Sequence, residues 1–159
     1  MHSEILVILL QYQQLLYQMK TENVVLFQID KTSKIAKLYS QREFERLGMG
    51  ITVEQWILLK IIEENDGLTQ KELADKSLRD PASITRTLDL LNKKEFVERK
   101  PVEDNRRQYS ICLTRNGKTF IDKFMPIINN HRSKSMDGIS QDELNTLNRL
   151  LEKVQQNMA

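Results

Sequence analysis

The chain has 159 residues, with 24 Lys and Arg against 22 Asp and Glu, 40% hydrophobic and 29% charged residues. This composition is that of an ordinary soluble globular chain and argues against both a disordered tail and a membrane bundle. One cysteine, Cys112, and two distant histidines, His2 and His131, leave no disulfide framework and no thiolate or imidazole cluster for a metal or a nucleophile. The expectation is a protein of a reducing cytoplasm that works without a cofactor.

The net charge of +2 conceals an uneven distribution. Residues 79–118 hold ten Lys and Arg against six Asp and Glu, so that stretch alone carries the positive excess. Binding to phosphates requires local rather than global positive charge.

Taken in chain order, residues 5–19 are uncharged, with Ile5, Ile8, Leu9, Tyr12, Leu15, Leu16 and Met19 at helical spacing. The segment is too short to span a bilayer. Its polar positions are Gln where a membrane-surface helix would place Lys or Arg. Residues 1–22 are therefore expected to form an extra apolar helix packed on the body or on a partner subunit, with no membrane contact. A second helix is expected over 23–47, ended by Gly48 and Gly50. Thr52 and Gln55 match a capping box, opening a helix through Trp56, Leu59 and Ile62 that stops at Asn65-Asp66-Gly67. Trp56, like Tyr39, is read as core. Thr69 and Glu72 match a second box, opening a short helix to about Ser77. Asp80-Pro81 places a cap before proline at the first helical position, and Ile84, Leu88 and Leu91 give the next helix its inward stripe.

The period then changes. Residues 96–100 and 108–113 are strand candidates, with Tyr109, Ile111 and Leu113 alternating, and 101–107 form a long basic tip between them. Thr114 caps a helix carrying Phe120, Phe124 and Ile127 or Ile128, which Pro126 is expected to kink or end. Ser140 and Glu143 form a third box ahead of Leu144, Leu147, Leu151 and Val154 at a/d-like spacing.

Short helices followed by a hairpin describe a winged helix-turn-helix, whose second helix enters the major groove. Here that helix is 80–94, with Ala82, Ser83, Thr85, Arg86 and Asp89 outward. Small residues allow close approach, hydroxyls bond base edges or phosphates, and Arg86 can fork onto guanine or phosphate. At the hairpin tip Asn105, Arg106 and Arg107 can reach the minor groove, where arginine meets an enhanced negative potential. Asp104 would be repelled by DNA and is read as orienting an arginine. Thr69 and Gln70, first of all capping residues, and Arg79, beside the turn, are further candidates for phosphate contact.

Ser83-Ile84-Thr85-Arg86, the run Leu90 to Arg99, Asp104-Asn105-Arg106-Arg107 and Leu113-Thr114-Arg115-Asn116-Gly117 resemble the MarR family of bacterial transcriptional regulators. The most specific part is Asp104 and Arg106 followed after six residues by Leu113-Thr114. The resemblance spans about residues 23–157 and implies a mainly α fold with a small β-hairpin wing, a winged helix-turn-helix flanked by N- and C-terminal dimerisation helices. On that basis 23–50 is a dimerisation helix, 51–114 the DNA-binding domain and 115–159 the C-terminal dimerisation helices, with Phe27, Leu144, Leu147, Leu151 and Val154 at the subunit contact. The implied function is that of a homodimer on double-stranded DNA with a palindromic operator, a repressor released by a small-molecule effector. Glu95 departs from the pattern, since the family has glycine ahead of the first wing strand. Cys112 lies outside the N-terminal helical region where thiol-sensing members carry their cysteine, and is read as a packing residue.

The alternative is a winged-helix module that docks a protein, with an incidental basic hairpin. An enzyme has little behind it, because the chain lacks a glycine-rich phosphate loop, a nucleophile with a nearby histidine and an evident carboxylate pair.

Overall fold

A computed structural model describes residues 20–102 and 105–159, without the side chains of 102–108. The expected helix at 5–19 and the tip residue Asp104 lie outside the described residues. The chain divides into two compact units, one ending at Trp56 and the other beginning at Ile57.

In the first unit a 3-10 turn at Thr21–Asn23 precedes α1, Val25–Arg46. Gly48, at φ +61°, ends α1: the Gly48 and Met49 amides donate to the Glu45 and Phe44 carbonyls, both at 3.0 Å. The Thr52 box forms as expected. The Gln55 amide donates to Thr52 Oγ1 at 3.2 Å, and the Thr52 amide to Gln55 Oε1 at 2.9 Å. This starts α2, Val53–Glu64. Two contacts hold its first turn to α1: the Val53 amide donates to Gln41 Oε1, and Lys37 pairs with Glu54. Trp56 is buried edge-on against Phe44, with ring centroids 6.1 Å apart, so its reading as core holds. Tyr39 does not share that place. It stands exposed along α1 among Val25, Leu26, Ile35 and Leu38.

In the second unit, the remainder of α2 buries Leu58, Leu59 and Ile62. Then follow β1 (Leu68–Thr69), α3 (Gln70–Ser77), α4 (Pro81–Lys93), β2 (Val97–Val102), β3 (Asn105–Leu113), α5 (Arg115–Ser135) and α6 (Gln141–Gln156). The core draws Leu73 from α3, Ile84, Leu88 and Leu91 from α4, Val97 and Ile111 from the sheet, and Ile121 and Ile128 from α5. Truncating any one of these leucines or isoleucines to alanine would cost about 2–5 kcal/mol.

Three features differ from the sequence expectation. First, the sheet has three antiparallel strands in the order β1-β3-β2, because Leu68 and Thr69 pair with Ile111 and Ser110. Two residues are too few to display an alternating pattern. Second, the hairpin pairs further than the polar composition of 101–107 suggests, with Pro101 opposite Tyr109 and Val102 opposite Asn105. The register shifts between those pairs, so Arg106, Arg107 and Gln108 fall within a bulged irregularity of β3. Third, of the two outcomes expected at Pro126, an end to the helix does not occur: α5 continues through it. Proline forfeits one helical hydrogen bond, but Gly117, Ile121, Phe124, Ile128 and His131 keep one buried stripe on both sides of it.

Candidate nucleic-acid interface

The helix-turn-helix is set by caps. Thr69 and Glu72 form a reciprocal box at the start of α3, in which the Thr69 amide donates to Glu72 Oε2 at 2.7 Å and the Glu72 amide to Thr69 Oγ1 at 3.3 Å. The Thr69 backbone bond, with help from its hydroxyl, holds the Glu72 carboxyl below the ordinary range. At α4, Asp80 Oδ1 accepts from the Ser83 amide at 2.8 Å and Pro81 occupies the first turn. Ile84, Thr87, Leu88 and Leu91 face inward, which turns Ala82, Arg86 and Asp89 out to solvent.

The candidate side chains at the N-terminal end of α4 are tied to one another. Arg79 Nη2 donates to Ser83 Oγ at 2.7 Å. Gln70 Nε2, from α3, donates to Thr85 Oγ1 at 2.6 Å, and that hydroxyl donates to the Pro81 carbonyl at 2.9 Å. Thr85 is therefore engaged as both donor and acceptor within the module and fixes Gln70 against α4. Ser83 accepts from Arg79 and keeps its own proton for a partner. Thr69, Gln70, Arg79, Ser83 and Thr85 are half-buried, and Ala82 and Arg86 exposed, so these seven candidates gather around one end of one helix.

Asn105, Arg106 and Arg107 lie apart from that cluster in sequence, on β3 in the stretch of shifted register. Two residues that sequence reasoning missed help to set the hairpin and the helix. Arg99, on β2, donates from Nη2 to Asp89 Oδ1 on α4 at 2.7 Å, linking the wing to α4. Thr87 is buried and donates to the Ser83 carbonyl at 2.8 Å. Neither carries a signal in sequence: the first pair is ten residues apart across two elements, and the second is an ordinary back-bond within a helix.

Between α3 and the sheet lies a groove of about 520 Å³ whose walls include Gln70, Lys71, Arg99, Tyr109 and Ile111. No group of three or more His, Cys, Asp or Glu residues among those described is arranged to hold a metal, and no described helix is long and apolar enough to cross a membrane.

At the base of the wing, Glu95 has φ +58°, the left-handed conformation that glycine takes without strain. The turn is kept despite the departure from the family pattern. The Glu95 carbonyl accepts from the Thr114 hydroxyl, and Thr114 also caps α5 by accepting from the Gly117 amide at 3.0 Å.

Residues 51–109 match the family model described as MarR family. Among solved structures, a MarR/EmrR family transcriptional regulator from Acinetobacter sp. ADP1 superposes with a TM-score of 0.80 at 18% identity, over 88% of this chain and 98% of that one. A MarR protein from Peptoclostridium difficile gives 0.75 at 21% identity, over 89% and 93%. The MepR protein of S. aureus, in a complex with DNA, gives 0.76 at 21% identity, over 88% and 100%. Residues 51–109 are thus similar to the MarR family model, and the chain as a whole shares the fold of these solved structures, a winged helix-turn-helix with flanking helices.

Proposed function

We propose that the protein is a sequence-specific DNA-binding transcriptional regulator that acts as a homodimer on a palindromic operator and represses transcription until a small molecule releases it. The observation that carries this reading is the concentration of Arg79, Ser83 and Arg86 at the leading end of α4, in the stretch that holds the chain's positive excess. Ser83 and Arg86 are proposed to touch base edges. Ala82 permits close approach to the groove floor, and Thr85 and Asp80 position their neighbours. Thr69, Gln70 and Arg79 would meet phosphate oxygens, while Asn105, Arg106 and Arg107 reach the minor groove with Asp104 orienting them. The MepR complex with DNA supports the same use of this fold.

Dimerisation is supported by apolar side chains left exposed on α1 and on α6. Val25, Leu26, Phe27, Ile35 and Leu38 of α1 are open to solvent, as are Leu147 and Leu150 of α6, while Leu144, Leu151 and Val154 are half-buried. Each helix thus carries large apolar side chains in water, which a second subunit would cover. Two modules held about one helical turn apart, roughly 34 Å, would match successive major grooves. The groove beside Gln70 and Arg99 supports control by a small molecule, because both residues are bonded to α4.

The test is binding of the full chain to the DNA upstream of its own gene at rising salt. The expected result is a steep loss of affinity with salt, together with a preference over unrelated duplex of at least about a thousandfold. Arg106→Ala should weaken binding and lower the salt slope by about one, with the dimer intact. A shallow salt response without sequence preference would instead favour a protein-docking module.

A further inference from the structure

The end of α4 that carries Ser83 and Arg86 also carries an apolar projection. Leu78, in the turn between α3 and α4, is 94% exposed, and Pro81 and Ala82 beside it are exposed as well. Its backbone is left-handed, at φ 51° and ψ 41°, with its amide donating to the Asp75 carbonyl at 3.2 Å. Leucine is poorly suited to that position on two counts. A branched side chain strains the left-handed region where glycine would not, and an isobutyl group held almost wholly in water gains nothing from burial. A residue that opposes both local preferences in the free chain is explained if a partner supplies the burial.

The partner is indicated by what stands next to Leu78. The adjoining Arg79 is bonded to Ser83, so Leu78 is continuous with the proposed DNA-reading surface rather than with an outer helix. Only one base offers an apolar group in the major groove, the C5-methyl of thymine. We infer that Leu78, flanked by Pro81 and Ala82, is a specificity-determining residue that packs against a thymine methyl in each operator half-site. This rests on the DNA-binding reading above and adds a base preference that the polar side chains do not supply.

The experiment begins with a duplex selected by the full chain from a randomised pool. That duplex is remade with deoxyuridine replacing one thymidine at a time, which removes a single methyl group. For the unaltered protein, one thymidine per half-site should prove sensitive, with affinity falling about fourfold, the effect of one buried methyl. Leu78→Gly should bind the thymidine duplex more weakly and ignore the replacement, and Leu78→Asn, polar but tolerant of this backbone, should behave alike. Leu78→Gly should melt no lower than the parent, which separates lost contact from lost fold. Equal sensitivity to deoxyuridine with and without Leu78 would overturn the inference. Unchanged duplex affinity in Leu78→Gly would overturn it too, and would assign the exposed leucine to a protein contact. A pool that yields no bound duplex would instead bring down the DNA-binding reading itself, and this inference with it.

Discussion

Asp89 on α4 and Arg99 on the first wing strand, β2, are joined by a 2.7 Å hydrogen-bonded ion pair. The two residues sit on the helix and the strand that the proposed reading sets against a duplex, so the pair bears on the angle between them. Both side chains are substantially exposed, at 36% for Arg99 and 51% for Asp89, and water screens much of the attraction. A double-mutant cycle with Asp89→Asn and Arg99→Gln, read by urea denaturation, should give a coupling of about 0.2–1 kcal/mol. A coupling well above that range would make the pair a structural anchor of the wing.

Glu95→Gly is expected to stabilise the protein. Glu95 holds φ +58° just past the end of α4, where a side chain costs roughly 1 kcal/mol that glycine does not. The glutamate is exposed, and the side-chain bond it would lose, from Asn116 Nδ2, is long at 3.5 Å. The expected gain is about 0.5–1 kcal/mol, seen as a higher urea midpoint with an unchanged slope. A lower midpoint would mean that the Asn116 contact outweighs the backbone strain.

These relationships differ in how far the sequence reveals them. The three capping boxes at Thr52, Thr69 and Ser140 are legible because each is closed by residues three apart, within one turn of chain. The inward stripe of Ile84, Leu88 and Leu91 is legible because burial on a helix has a period. The wing is legible as a hairpin, yet its polar tip gives no sign that pairing continues to Val102 and Asn105, since ladder bonds are made by backbone. Nor does sequence foretell the two-residue strand at Leu68, or the continuation of α5 past Pro126, where packing of the flanking turns overrides a local preference. Within the candidate site, the outward positions of Ala82 and Arg86 follow from the helical period. The bonds from Gln70 to Thr85 and from Arg99 to Asp89 join different elements, and only the folded chain brings them together.

Two of those caps make stability depend on pH. Glu72 is held below its ordinary value by the Thr69 backbone amide and hydroxyl, and Glu143 likewise by Ser140, its hydroxyl foremost. A carboxyl depressed in the folded state stabilises fully above its unfolded value, near 4.5, and loses that contribution as pH falls through the folded value. Glu72→Gln and Glu143→Gln should therefore flatten the acid limb of the stability profile below about pH 4.5, each with a smaller effect at pH 7 than removal of the whole cap. Thr69→Ala, which removes the hydroxyl that receives the Glu72 amide, should cost about 1 kcal/mol at neutral pH. Thermal melts from pH 3 to 7 would decide it, and acid limbs parallel to the parent would separate the caps from acid unfolding.

Assembly is open to a similar test. Leu147 and Leu150 are about half-exposed on α6, and in the proposed dimer they are covered. Leu147→Lys combined with Leu150→Lys should shift the sedimentation coefficient to that of a monomer while far-ultraviolet dichroism still reports a helical fold. Deleting residues 1–20, uncharged between Ile5 and Met19, should raise the dimer dissociation constant if they add buried area between subunits. An unaltered equilibrium in the deletion would exclude residues 1–20 from the subunit contact.

Gly117→Ala should be the most damaging single-methyl change in the winged half of the chain. Gly117 opens α5 directly against the strand entry, where an added Cβ would lie 2.2 Å from the Phe96 carbonyl oxygen and 3.1 Å from its carbon. That oxygen already accepts from the Thr114 amide at 3.1 Å, and the Thr114 hydroxyl caps the same helix, so neither backbone can yield without breaking a bond. Flexible side chains move aside for a methyl group, but a paired carbonyl does not, and overpacking against it should cost about 1–3 kcal/mol or more. The strain falls where Val97 begins the wing and Phe96 stacks on Phe120 of α5, with ring centroids 4.5 Å apart. Lower stability should therefore appear together with faster amide exchange along β2 and weaker duplex binding. Exchange confined to the first turn of α5, with the wing unaffected, would instead show that the helix start absorbs the added methyl alone.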